Sequence, residues 1–258
     1  GMYTDADGNT QFYDNQTDNY QQDHYQLHWS EKIDSDWSTN LAFHYTKGKG
    51  YYENYEAKAD FAAFNLVPAG TQTSTDVIDQ KWLDNDFYGT TFSANYKKDE
   101  ADFIFGGAVN KYDGKNFGNI LWAQYALTSY NARYYDFYGN KIDGNAFAKL
   151  NYILSNKWSL YGDVQYRHIN YKANGVSEGT IDKNFNFFNP KAGLTYSLNR
   201  RNNLYFSYAR AHREPNRIDY EGGNPKPEKL NDFELGWRSK YEKIKLNINA
   251  YYMRYKDQ

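Results

Sequence analysis

The chain contains no cysteine among its 258 residues, so disulfide bonds and thiolate metal sites are excluded. It also lacks any run of about twenty apolar residues, the length that a membrane-spanning helix requires. Proline is scarce, with only five in the chain. The sequence therefore argues against a disulfide-stapled secreted module and against a helical membrane protein.

An excess of charge of one sign is missing as well. The chain has 30 basic and 32 acidic residues, a formal charge of -2, and no basic stripe, which argues against a nucleic-acid partner. It holds no His-Glu-x-x-His zinc motif and no glycine-rich phosphate loop. No spacing of carboxylates isolates a glycosidase pair. We therefore expect neither an enzyme nor a bound cofactor.

Aromatic residues are abundant: they make up 19% of the chain, with 28 tyrosines. The mean hydropathy is nevertheless low, at -0.97. This combination is unusual for a cytosolic enzyme. It is typical of β-barrels in which aromatic girdles face lipid and polar side chains face a lumen.

The segment 146–171 shows a pattern that the rest of the chain repeats. It turns at 155–157 and returns with a strict two-residue alternation of apolar and polar side chains. One face of the return strand carries Trp158, Leu160, Gly162, Val164 and Tyr166. The other face carries Ser159, Tyr161, Asp163, Gln165 and Arg167. A strand of about fourteen residues is long for a soluble sandwich but suits a tilted strand that crosses a bilayer.

About ten such strands can be traced, joined alternately by short polar turns and longer connections. The short turns lie near 32–36, 97–100, 155–157, 199–202 and 239–243. The longer connections are predicted at about 47–84, 113–140, 172–187 and 212–229, and residues 1–19 are predicted to form a loop. Outer-membrane barrels alternate short periplasmic turns with long extracellular loops in this way. The sequence predicts an all-β fold: an antiparallel up-and-down meander of about ten long strands, part of a transmembrane β-barrel.

From about Trp122 onward the chain resembles the barrel of TonB-dependent outer-membrane receptors of the Bacteroidetes type. Four segments carry the resemblance: 141–149, 160–167 (LYGDVQYR), 204–215 (LYFSYARAHREP) and 224–236. The last two, at this separation, are fairly specific for the family. Residues 20–112 match only in their strand pattern.

The resemblance implies a barrel of roughly 22 strands, plugged by a separate N-terminal domain. We therefore expect residues 1–258 to be a central part of such a barrel, without the plug domain and the C-terminal strands. The whole protein would lie in the outer membrane of a Gram-negative bacterium. It would import a scarce small chelate, such as a ferric siderophore, haem or corrinoid, driven by the TonB complex acting through the plug.

A partial barrel has two open edges, each with a row of unpaired backbone donors and acceptors. We expect the isolated fragment to self-associate by strand-edge pairing, most simply between two copies. Two other interpretations stay open at this point: an aromatic-rich extracellular glycan-binding β-protein with a closed apolar core, and a complete small porin-like barrel or an envelope enzyme built on one.

Two groups of residues are candidates for ligand binding. The first lies where a strand becomes an extracellular loop: Arg210, His212, Arg213, Glu214 and Arg217. Its guanidinium groups could hold an anionic chelate, or Arg and Glu could pair with each other and order the loop around Pro215. The second group, Tyr51, Tyr52 and Tyr55 in the first long connection, could stack on a ligand ring or pack that connection on itself.

Polar residues on successive strands are expected to face the lumen: Asp163, Gln165, Arg167, Lys191 and Glu234. They would form a solvated, salt-bridged barrel interior, and some of them could touch ligand. His24, His28 and His44 share this face. Strand geometry separates His24 from His28 by about 13 Å, so we expect no metal site.

Overall fold

The computed structural model describes residues 1–176 and 179–257. Fourteen strands and two short 3-10 helices form in these residues. In chain order they are β1 Met2–Thr4, β2 Thr10–Phe12, β3 Asp18–Lys32, β4 Trp37–Ala59, η1 Ala62–Phe64, β5 Val67–Pro68, β6 Thr75–Lys98, β7 Ala101–Ala123, β8 Ala126–Leu127, β9 Ala132–Ile153, β10 Trp158–Val176, β11 Gly179–Asn199, β12 Asn202–Arg213, η2 Ile218–Gly222, β13 Glu228–Lys240 and β14 Lys245–Lys256. In this part of the chain no helix has the length and apolarity needed to cross a membrane.

Ten of the strands form one antiparallel sheet in the order β14-β13-β12-β11-β10-β9-β7-β6-β4-β3. The predicted meander of ten long strands is thus confirmed, and the short turns fall where the sequence placed them. Within the part of the chain that the structure describes, the sheet does not close on itself, because β3 and β14 are its two edges. Strands such as β4 and β6 reach 23 and 24 residues, far longer than a bilayer crossing of about ten residues.

Three of the four predicted long connections, at 47–84, 113–140 and 172–187, are mostly strand, and those predictions were wrong. The fourth, at 212–229, is confirmed, because 214–227 lies between β12 and β13. Only 60–74 lies between β4 and β6, and only 124–131 lies between β7 and β9. The loop predicted after Tyr171 belongs to β10 and β11, apart from residues 177 and 178, which lie outside the described ranges. The opening residues fold as a small hairpin, β1-β2, rather than as an irregular loop. The alternation of apolar and polar residues is weak in these stretches, although the pairing of neighbouring strands continues through them.

The two faces of the sheet differ in chemistry as the alternation in β10 predicts. Leu160, Val164 and Phe206 lie on the apolar face and are 41%, 44% and 49% exposed. The other face, which we call the polar face, carries Asp163 and Arg167. The apolar side chains are therefore not enclosed in a sealed core.

Aromatic pairs mark two levels on the apolar face. The lower row, close to the short turns, pairs Trp37 with Tyr96 and Trp158 with Tyr196. Eight residues along the same strands, the upper row pairs Tyr45 with Tyr88 and Tyr166 with Phe188. Eight residues span about 26 Å along a strand, or about 20 Å once a tilt of roughly 40° is allowed for. This is comparable with the apolar band of an outer-membrane barrel.

Beyond the upper row the strands continue, and small cores form beneath the longer connections. Val77, Ile120 and Phe64 are buried together under 60–74. Beside β4, the β1-β2 hairpin packs Tyr3 against Tyr55, with ring centroids 5.3 Å apart. The end of the sheet far from the short turns is thus a folded structure that stands above the lipid-facing band.

Candidate ligand-facing site on the polar face

The segment after β12 crosses the polar face of the sheet. β12 pairs with β11 only as far as Ala209 opposite Lys191, whereas β11 continues to Gly179. The chain that follows β12 is therefore free of β11 and turns inward across β11 and β10. It brings Glu214 to side chains of both β9 and β10. We call residues 214–222 the crossing segment.

Glu214 is the centre of an ionic cluster of four residues. Its carboxylate accepts from the Lys141 ammonium and, at 3.0 Å, from Nη1 of Arg167. Arg167 also donates from Nε to Asp143 at 3.0 Å. The side chains of Glu214, Arg167 and Asp143 are only 12%, 24% and 22% exposed. Two cations and two anions therefore compensate one another in a partly buried position.

The electrostatics of Glu214 favour its charged form. Burial by itself raises the pKa of this carboxyl, but the hydrogen bond from Lys141 and the positive charges of Lys141 and Arg167 lower it below its usual range. Glu214 therefore stays ionised, and its attraction to the two cations holds the crossing segment on the polar face.

Two further contacts fix the crossing segment. The Arg217 guanidinium lies over the Phe137 ring at 4.7 Å and donates to the carbonyl of Gly175. Tyr220 is buried with Ala173 and with aliphatic side chains of β10 and β11. The segment is thus held by charge at one end and by apolar burial at the other.

His212 belongs to a separate chain of contacts. Its ring stacks on Phe187, with centroids 5.2 Å apart, and its Nδ1 lies 2.8 Å from the side-chain oxygen of Asn189. Asn189 in turn donates to Gln165 at 3.1 Å. The His212 imidazole therefore makes its stacking and hydrogen-bond contacts with side chains of the neighbouring strands.

The five residues predicted around 210–217 do not form one anion site. Arg213 pairs with Glu228 at 2.9 Å. Arg210 lies beside Asn231 in the β12–β13 register, and its Nε is buried without a hydrogen-bond partner among the described residues. Glu214 turns away from both arginines, toward β9 and β10.

The structure adds two residues to the site that the sequence analysis missed. Lys141 and Asp143 were not predicted as site residues, although both take part in the cluster around Glu214. They share the face of Arg167 in the register of the 146–171 hairpin as it continues along β9. Extending that register would have found them.

The three candidate tyrosines lie in strand β4, not in a loop, and they do not form one platform. Tyr51 and Tyr55 lie on the side of β4 that continues the apolar face, whereas Tyr52 lies on the polar face. Tyr51 packs on Trp82, with ring centroids 4.5 Å apart. The Lys81 ammonium is 5.5 Å from the centre of the Tyr52 ring. Of the three, Tyr52 alone shares a face with the residues predicted to line the lumen.

Tyr55 is a packing residue beneath the β1-β2 hairpin. Its ring lies against Tyr3 and Tyr13, with centroids 5.3 and 6.1 Å away. Its hydroxyl donates to Asp76, and the Tyr13 hydroxyl donates to the buried carboxylate of Glu53. Tyr55 therefore packs this part of the chain on itself, one of the two roles that the sequence left open.

The residues predicted to face the lumen share the polar face. Asp163 lies opposite Lys191 in the register and accepts from the Tyr161 hydroxyl at 3.0 Å. Glu234 lies on the same face of β13, where Asn249 donates to it at 3.4 Å. The register therefore brings these polar side chains to one surface.

Farther from the short turns than these lumen-facing candidates, the polar face carries cations beside aromatic rings. Tyr112 and Tyr171 are the register neighbours of Lys141 on either side. Further up, Arg217 covers Phe137, and Lys81 covers Tyr52. We call these three groups the cation–aromatic ladder. Alternating rings and positive charges of this kind suit a ligand that is both anionic and aromatic.

Two further observations concern metal binding and hydrolase chemistry. In the described ranges no group of three or more His, Asp and Glu side chains could hold a metal ion. A Gly-x-Ser-x-Gly sequence occurs at 175–179, although Ser177 lies outside the described residues. It connects the two strands β10 and β11, whereas the nucleophile elbow of hydrolases joins a strand to a helix.

The fold and the polar face define a class of protein: the wall of a large β-barrel with a lipid-facing outside and a polar inside. Residues 2–258 match the family described as "TonB dependent receptor-like, beta-barrel". The chain belongs to this family. Its members are outer-membrane receptors and transporters of Gram-negative bacteria rather than enzymes.

Individual relatives agree with this assignment. Over 69 residues, which are 26% of this chain and 8% of the relative, the sequence is 35% identical to the ferric-pyoverdine 358 receptor of Pseudomonas putida. The ferric-catecholate import receptor Fiu of E. coli K12 has a similar fold, with a TM-score of 0.65 and 17% identity over 94% of this chain and 41% of Fiu. The copper transporter OprC gives a TM-score of 0.69 and 12% identity over 91% of this chain and 40% of OprC. The chain thus spans about two fifths of these solved structures.

Proposed function

We propose that the chain is barrel wall of a Bacteroidetes-type outer-membrane receptor that takes up a scarce chelate. A ferric siderophore is the favoured ligand, and haem and corrinoids belong to the same class of large, scarce ligands. The observation that carries the proposal is the cation–aromatic ladder on the polar face. The names of two relatives, a ferric-pyoverdine receptor and a ferric-catecholate receptor, agree with a siderophore.

The chemistry of the ladder fits such a ligand. Many siderophore complexes present aromatic or conjugated faces and a net negative charge. Rings such as Tyr52 and Phe137 offer stacking surfaces, and the ammonium and guanidinium groups beside them offer charge. Internal carboxylates hold two of the cations: Lys81 lies 3.4 Å from Glu56, and Lys141 is paired with Glu214. An anionic ligand would compete with these carboxylates for the same cations.

The chain's part in uptake would be to bind and orient the ligand, with no covalent chemistry of its own. The energy for release would come from the TonB complex, acting through the plug domain of the whole receptor. Arg210, His212 and Arg213 would then shape the loop region, while Arg217 and Tyr52 would contact ligand. The residues that would line the lumen below are Asp163, Gln165, Arg167, Lys191 and Glu234.

The two other interpretations have less support. A glycan-binding protein with a closed core would enclose Leu160 and Val164, yet both are exposed. A complete ten-stranded barrel would pair β3 with β14, which are the opposite edges of the sheet. Neither observation favours a second function.

The test is uptake of radiolabelled ferric siderophores, haem and corrinoids by the source bacterium with the gene deleted and then restored. Restored receptors would carry Arg217→Gln or, as a matched control, Arg213→Gln, whose side chain is 63% exposed in its pair with Glu228. We expect Arg217→Gln to weaken ligand affinity by about tenfold, because a guanidinium that contacts an aromatic ring of the ligand contributes about 1–2 kcal/mol to binding. The control should change it by less than about twofold. Unchanged uptake of every ferric siderophore, haem and corrinoid after deletion would overturn the proposal.

A further inference from the structure

The short turns divide the rim of the sheet into two halves of different charge. In barrels of this kind the short turns face the periplasm. The two turns β3–β4 and β6–β7, counted from the last residue of one strand to the first of the next, carry two cations and four carboxylates. The three turns β9–β10, β11–β12 and β13–β14 carry one carboxylate, Glu242. They carry six cations, which we call the basic rim: Lys157, Arg200, Arg201, Lys240, Lys243 and Lys245.

The basic rim is one continuous surface, because backbone hydrogen bonds join its three turns side by side. The amide of Ser197 donates to the carbonyl of Lys157 at 2.8 Å, and the amide of Lys240 donates to the carbonyl of Arg201 at 2.8 Å. Lys245 is the register partner of Lys240 across the last turn. All six cationic residues are exposed. They therefore follow one another along the same edge of the barrel wall.

The charge of the basic rim is not compensated from within the chain. Among the described residues, none of its six cations forms a salt bridge. The guanidinium of Arg201 lies 5.3 Å from the centre of the Tyr241 ring, which is itself 49% exposed. On the other half of the rim, by contrast, Lys98 is paired with Asp36 at 3.4 Å. The basic rim therefore offers its positive charge to a partner outside the chain.

The depth of the basic rim in the membrane selects that partner. The lower aromatic row contains Trp158 and continues across the sheet to Trp237. Lys157 lies one residue beyond this row and Lys240 three residues beyond it, which is about 2–8 Å along the membrane normal. Phospholipid head groups occupy about 5–8 Å beyond the hydrocarbon on each side. The cations therefore lie at the level of lipid phosphates, above the depth at which a soluble acidic protein would first make contact.

We propose that the basic rim binds the head groups of anionic phospholipids in the periplasmic leaflet of the outer membrane. The adjacent guanidinium groups of Arg200 and Arg201 hold a phosphate through paired N–H donors, and the lysines on either side add charge. Because carboxylates outnumber cations on the other half of the rim, these lipids gather beside β10–β14 and not beside β3–β7. The inference is independent of the proposed uptake function, since it concerns the turns and not the polar face.

The test is lipid retention by the protein as the source bacterium makes it, purified and reconstituted in vesicles of phosphatidylethanolamine and phosphatidylglycerol. After extraction into mild detergent, native mass spectrometry counts each lipid bound per protein. We expect phosphatidylglycerol to be retained in preference to phosphatidylethanolamine. Arg200→Gln combined with Arg201→Gln should lower this preference by about tenfold or more, because each cation near an anionic lipid surface changes affinity by about fivefold. Arg200→Lys combined with Arg201→Lys keeps the charge and should keep most of the preference.

Lys97→Gln combined with Lys98→Gln is the matched control. It removes the same charge from two adjacent exposed cations at the β6–β7 turn, on the other half of the rim, and should leave the preference as it is in the unaltered protein. Equal retention of the two lipids by the unaltered protein would overturn the proposal, and so would an equal change in the arginine variant and the control. Circular dichroism checks that each variant keeps its strands.

Discussion

Glu214→Gln is the substitution that tests most directly how the crossing segment is held. Glu214 accepts hydrogen bonds from two cations, Lys141 and Arg167, while its side chain is only 12% exposed. A hydrogen bond to a charged group contributes about 1.5–3 kcal/mol, and the amide oxygen of glutamine can keep one of the two in weaker form. We expect docking of the crossing segment to weaken by about 2 kcal/mol, which is roughly 30-fold in its open fraction.

Hydrogen–deuterium exchange of the backbone amides in 214–222 measures this opening directly. The matched control is Glu228→Gln, which breaks the pair with the largely exposed Arg213 at the other end of the same connection. A surface pair contributes about 0.2–1 kcal/mol, so exchange should rise less than about fivefold in the control. If Glu214→Gln exchanged no faster than Glu228→Gln, the ionic cluster would not be what holds the segment.

The same carboxylate gives the docking a pH dependence. Because the folded-state pKa of Glu214 is lowered, its stabilisation is present above the ordinary carboxyl pKa and is lost as the pH falls through the folded-state pKa. Protection of 214–222, corrected for the intrinsic exchange rate, should therefore decline in acid. Glu214→Gln should remove this dependence, and a decline of equal size in that variant would assign the titration to another group.

Three further outcomes are expected. Tyr220 is buried and its hydroxyl has no partner among the described residues, so Tyr220→Phe should leave exchange of the crossing segment unchanged, while Tyr220→Ala should weaken docking by roughly 2–4 kcal/mol. Burial raises the pKa of Asp79, which accepts a hydrogen bond from Tyr134 at 2.7 Å. The contribution of its protonated form to the free energy of unfolding is therefore lost as the pH rises through the raised pKa. Asp79→Asn should accordingly leave the melting temperature equal or higher at neutral pH. The isolated chain should self-associate through β3 and β14, and a monodisperse monomer in sedimentation would contradict this.

The sequence predicted the wall of the barrel well, because its signal is local. The two-residue period of β10 depends only on the geometry of an extended chain. It therefore placed Asp163 and Arg167 on one face and Leu160 on the other before any neighbouring strand was known. Above the upper aromatic row this signal fades, because both faces of β4 carry polar groups, and Lys47 to Ala59 was mistaken for a loop.

The candidate site was predicted only in part, because neighbours in sequence separate in space. Arg213 and Glu214 are adjacent, yet one pairs with Glu228 and the other reaches Lys141 and Arg167, which are 73 and 47 residues away. The sequence by itself determined the strands of the lipid-facing band, their two faces and the resemblance to a family. Only the tertiary structure decided which charges meet, because the inward path of the crossing segment depends on where β12 leaves β11.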